Sequence, residues 1–175
     1  MSTFLYGWAL TQKGDMVEGL TYMQESIALF QETGAELGAA YFAGLFAATL
    51  ADAGQVDFGL AMMDEAFNLM TRNKDYWCEA ELHRLKGEIL AKHSSLDDVE
   101  TNNTLMETCF QTAITVAQSQ LARWWELQAT MSLGQLWYKQ GRTEAARQII
   151  EDMISRFPEG ADVPHIKEAR AMILE

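Results

Sequence analysis

Apolar residues along this chain recur in steps of three and four, and the steps themselves recur. Met16, Leu20, Met23, Ile27 and Phe30 share one face of a helix. Adding 40 to each number gives Val56, Leu60, Met63, Phe67 and Met70, a second stripe in the same phase. Each stripe follows a glycine break, "QKGDMVEGL" at 12–20 and "DAGQVDFGL" at 52–60, with Gly14 and Gly54 also 40 apart. Ahead of the breaks, small residues keep the same interval at Gly7, Ala47 and Gly87. A third stripe runs through Met106, Phe110, Ala113 and Ala117, and a fourth through Ala146, Ile150, Met153 and Phe157. The interval widens to 47 between Gly87 and Gly134, and "SSLDDVETNNT" at 94–104 takes up the extra length. With three acids and no base, that stretch reads as a solvated loop.

The pattern predicts an all-α chain, a right-handed α-solenoid of four helical hairpins with a C-terminal capping helix, forming one repeat domain over 1–175. The hairpins fall at about 2–33, 36–73, 77–120 and 122–157. Their first helices lie near 2–13, 36–53, 77–93 and 122–140, and their second helices near 16–33, 56–73, 104–120 and 143–157. Asp162 and Pro164 start a last helix at about 163–174, because Asp caps and Pro suits the first turn. Its stripe of Val163, Ile166, Ala169 and Ile173 is apolar on one side, as a cap requires. Alternating runs of Val, Ile and Thr are missing, which argues against strands. Small residues at 7, 47, 87 and 134 let paired helices approach, and large residues a turn later fill the space beside them.

These residues resemble the tetratricopeptide repeat, which places a small residue in the first helix, a large one three later, another small one in the second helix and a closing proline. The last hairpin matches best, with Leu133, Gly134, Trp137, Ala146 and Pro158, and with Ile150 where the pattern prefers Phe. The second offers Ala47, Leu50, Gly59, Met63 and Ala66. The third departs, with Lys86 before Gly87 where Leu is usual. A period of 40 against the usual 34 implies longer helices. Phrases such as "FLYGWAL", "AELHRLKGEIL", "CFQTAITVAQSQ", "LQATMSLGQL" and "FPEGADVPHIKEARAMI" resemble the C-terminal repeat segment of large bacterial signalling proteins that carry an ATPase and often a nucleotide-cyclase domain. Maltose-type transcriptional activators carry a related segment. No GxxxxGK[ST] occurs, so the ATPase and cyclase activities do not transfer.

Charge narrows the partners. A formal net charge of −12, with 13 basic residues scattered among 25 acidic ones, leaves no basic patch for nucleic acid or an anionic membrane. No run of 18 apolar residues and no signal-peptide pattern occurs. Cys78 and Cys109, 31 residues apart without a CxxC, read as reduced thiols in a cytoplasmic protein. Nothing requests a cofactor or a metal: His83, His93 and His165 are dispersed, and His83 has Gly87 rather than a ligand at i+4. Glu88 and Lys92 read as an i, i+4 surface ion pair. Trp124 and Trp125 are adjacent and cannot both face one core, and Trp77 aligns with Trp124 across the 47-residue interval.

The resemblance implies that the first helices line a concave groove. Transferred here, its residues are Trp8 and Gln12; Tyr41, Gly44 and Asp52; Glu81, Arg84, Glu88 and Lys92; and Gln128, Met131, Gln135, Tyr138 and Lys139. Aromatics, amides and both charges suit a protein or peptide partner, with Arg84 and Tyr138 as favoured anchor types. The expected function is a non-catalytic interaction scaffold or sensor segment in bacterial signalling, and the alternative is a small-molecule effector-sensing domain. The N-terminal hairpin begins about five residues short of its counterpart and has no cap. That suggests either a fragment or a homodimer through this end.

Overall fold

The computed structural model describes residues 2–93, 99–157 and 164–172. The described residues form helices and turns without strands, in the order α1 (Ser2–Gln12), α2 (Met16–Glu32), α3 (Ala39–Asp52), α4 (Val56–Asn73), a short 3-10 turn (Tyr76–Cys78), α5 (Glu79–Ala91), α6 (Val99–Ser119), α7 (Arg123–Lys139), α8 (Thr143–Ile154) and α9 (Pro164–Met172). Helices pair in sequence as α1 with α2, α3 with α4, α5 with α6 and α7 with α8. Further contacts join α3 to α5 and α5 to α7. First helices therefore touch one another along the stack and form its inner layer, with the second helices outside. This is the expected all-α solenoid of four hairpins plus a cap.

The 40-residue translation is visible in the packing. Gly7, Ala47, Gly87 and Gly134 are all buried. A methyl group added at Gly7 would stand 2.7 Å from the Gly19 carbonyl oxygen, and one at Gly59 would stand 2.8 Å from that of Ala47. At Gly87 it would strike the Phe110 ring at 2.5 Å, so the third hairpin keeps the register despite Lys86. Lys86 instead reaches back to Asp64 of α4 at 2.9 Å.

Several boundaries differ from expectation. α3 begins at Ala39 rather than 36, because Gly38 takes φ 78° and gives its N–H to Asp75 Oδ2 at 2.8 Å. The third first-helix opens as a 3-10 turn before α5. α6 starts at Val99, so part of the expected 94–104 loop is helical. Asn102 Nδ2 donates to the Leu90 carbonyl at 3.2 Å and ties this extra turn to α5. α8 stops at Ile154, short of 157. In α9, Ile166 and Ala169 are buried against Leu127, Met131, Ile150 and Met153, and the helix covers the last hairpin. Residues 94–98, Pro158, Asp162, Val163 and 173–174, which carried the rest of the loop and cap expectations, lie outside the described residues.

Candidate interaction surface

Position 44 and its equivalents decide which side chains the inner layer offers. A Cβ on Gly44 would meet Leu82 of α5 at 2.3 Å, so this position faces the next first helix, not solvent. Its counterparts 40 and 87 residues on are Arg84 and Met131. Met131 is 7% exposed and packs under α9, which occupies the place a fifth hairpin would take. Tyr138 also packs on that core, and its hydroxyl is buried without a hydrogen-bond partner. Gly44, Met131 and Tyr138 are therefore seam residues, not groove residues.

Arg84 behaves likewise. Its Nε and Nη2 donate to the two oxygens of Glu81 at 2.7 and 2.6 Å, and Nη1 donates to Glu88 Oε1. Ser132 of α7 donates to the same Glu88 oxygen at 3.2 Å. Burial works against the guanidinium charge, but the hydrogen bonds and charges of Glu81 and Glu88 outweigh it and raise its pKa above the usual value. Arg84 is thus engaged by two carboxylates of its own helix, and Glu88 carries the connection on to α7. The expected Glu88–Lys92 pair is replaced as well, because Lys92 pairs with Asp52, its counterpart one repeat earlier.

What remains presented is aromatic. Trp77 lies between Tyr41 and Trp125, with centroids 5.2 Å away from Tyr41 and 5.7 Å away from Trp125, and it is nearly parallel to the latter. The three rings come from three successive hairpins, and Trp77 remains 45% exposed. Desolvation, then the Glu81 charge, raises the Tyr41 pKa, which keeps its phenol protonated beside the Arg84 cluster. Trp125 makes the stack, whereas Trp124, which aligns with Trp77 across the 47-residue interval, is 43% exposed. Further along the same helices stand Glu88 and Lys92 on α5 and, on α7, Gln128, which is half-buried, and Gln135 and Lys139, which are exposed. Trp8 and Gln12 are exposed on α1, in the first hairpin.

Among solved structures, the chain is similar to a putative kinesin light chain from Podosopora anserina built of nearly identical TPR-like repeats. The match has a TM-score of 0.69 and 10% identity, over 98% of this chain and 82% of that one. A single-substitution form of the same protein matches at a TM-score of 0.70 over the same shares. The fold is that of a TPR-like repeat array. No protein-family profile matches the sequence. No curated protein matches it either. The TPR-like array places its first helices side by side, and that arrangement sets the Tyr41–Trp77–Trp125 row. Among the described residues, no helix is long and apolar enough to cross a membrane.

Proposed function

We propose that this TPR-like array is a non-catalytic scaffold or sensor segment of a bacterial signalling or regulatory protein in the cytoplasm, receiving a peptide or partner helix on its inner layer. The observation that carries the binding reading is the ring row on three adjacent first helices. Large rigid aromatics beside a carboxylate and amides are the chemistry of protein recognition rather than of phosphate binding. The bacterial signalling context rests on the resemblance of the core phrases alone. The test is a displayed-peptide selection on the whole chain, followed by affinity measurement. Selected peptides should bind about tenfold more weakly to Trp77→Ala, and more weakly to Glu88→Gln. Binders indifferent to both changes would overturn the inner-layer assignment.

The same repeat logic supports a homodimer through the first hairpin. Tyr6 is 54% exposed, whereas its counterparts Phe46 and Leu133 are 7% and 3% exposed, each covered by the preceding hairpin. Leu5 and Trp8 are exposed beside it. Since α9 closes the other end, two such faces meeting would give a closed pair rather than a filament. Light scattering at micromolar concentration should report a dimer that Tyr6→Glu converts to monomer, and a monomeric parent chain would refute the idea.

A further inference from the structure

The hairpin junctions are not equally closed. Between the first and second hairpins, residues 33–38 form an open turn with Gly34 and Gly38 at positive φ. At the next junction the matching segment winds into the Tyr76–Cys78 turn and buries Cys78 completely. Gly38 stands 40 residues before Cys78 and contributes no side chain to the wall. Beside this turn, among α2, α3 and α4, lies a cleft of about 390 Å³ whose walls include Phe4, Phe30, Phe42 and Met62.

Two polar atoms break that apolar lining. Ser26 is 7% exposed and lines the cleft, and its hydroxyl has no hydrogen-bond partner. Asn73 also lines it; its amide nitrogen donates to the Glu36 carbonyl at 3.3 Å while its Oδ1 is buried and unpaired. The counterparts of Ser26, 40 and 87 residues on, are Ala66 and Ala113, both fully buried. A hydroxyl thus replaces a methyl group at the one of these positions that borders the cleft. Buried polar groups without partners cost free energy that a suitable ligand would recover.

We propose that this cleft binds a small uncharged organic molecule with an aromatic or branched apolar body and one hydroxyl or N–H group. Its volume falls within the roughly 300–1,000 Å³ usual for ligand pockets. The apolar walls ask for the body. Asn73 Oδ1 can only accept, so the ligand must donate, and Ser26 can then pair with either kind of group. Glu36, Glu65 and Arg72 also line the cleft, and their mixed signs favour a neutral occupant over a strongly charged one. The site is separate from the ring row on the inner layer and stands whether or not that row binds a peptide.

The probe pair is indole and 1-methylindole, the same bicycle with its N–H blocked, titrated into the whole chain. Melting temperature and backbone amide NMR shifts are followed. Indole should raise the melting temperature and shift amides of residues 26–43 and 62–73. 1-Methylindole should bind about tenfold more weakly, the loss expected for one hydrogen bond. Asn73→Leu, which removes the acceptor, should narrow that difference, whereas Ser26→Ala, a residue its counterparts already tolerate, should not. No shift at these amides at millimolar indole would overturn the proposal, as would equal affinity for the two probes or shifts confined to the Trp77 face.

Discussion

Gly34, Lys74 and Leu121 occupy the same place at three successive hairpin junctions, and all three take positive φ, at 68°, 54° and 55°. Only the first avoids the Cβ clash that makes this conformation cost about 1–2 kcal/mol for other residues. Lys74→Gly should therefore raise the unfolding free energy measured by urea titration, by up to about 1 kcal/mol after the entropy that glycine loses on folding. Gly54→Ala, at φ 81° with open space around it, should lower stability by about 1 kcal/mol. Arg84 was legible as a candidate but not in its role, because sequence spacing cannot tell a groove from the seam beside it. Its partner Glu81 is 5% exposed, so Arg84→Ala strands a buried carboxylate and should cost about 3–5 kcal/mol. Arg84→Lys should not restore the two-pronged contact. His83 packs against Phe67 with tilted rings, 4.8 Å between centroids, and burial, then the nearby Lys86, lowers its pKa from 6.5. The neutral ring is favoured in the folded chain, so stability is full above pH 6.5 and falls as the unfolded chain gains its proton below it. His83→Phe should flatten the fall in melting temperature between pH 7 and 5 relative to the parent.

Helices and their pairing were read from periodicity because each stripe repeats at a fixed interval and reports one buried face. The element ends were less legible. α6 gains its first turn from a polar stretch whose composition suits a loop, and the Asn102 contact to Leu90 explains why it is helical. Seven residues separate Ala91 from Val99, where three separate Asp52 from Val56, so the longer interval is shared between connection and helix. The ring row was half legible: the aromatics stood out, but the choice of Trp125 over Trp124 depends on helix phase at α7. The open junction beside Gly38 left no mark in the stripe pattern, because it depends on how two hairpins meet. Within hairpin one, α1 and α2 touch backbone to backbone. A Cβ on Gly19 would stand 2.6 Å from the Gly7 oxygen, which cannot yield without parting the helices. Gly19→Ala should cost about 1–3 kcal/mol, measured by thermal unfolding.

Across the whole molecule, cohesion rises from front to middle. Hairpin one meets hairpin two through a small core of Phe4, Met23 and Phe46, with Phe4 and Phe42 edge to face at 4.9 Å between centroids, beside the cleft. Hairpins two and three share a continuous core from Ala40 to Ile89. Amide hydrogens of α1 and α2 should therefore exchange earlier than those of α3 to α5 under native conditions, in line with local opening where packing is thin. The Cys78 thiol, fully buried, should stay unreactive until local opening exposes it: burial, then the Asp75 charge, pushes its pKa up to about 12, and burial also raises that of the part-buried Cys109. The covering helix α9 gives the array a direction. A graft of one more hairpin can seat ahead of α1, where Tyr6 would be enclosed as Phe46 already is, whereas one appended behind α8 must first evict Ile166 and Ala169. An engineer who wants a longer inner surface from this chain can extend it from the front alone.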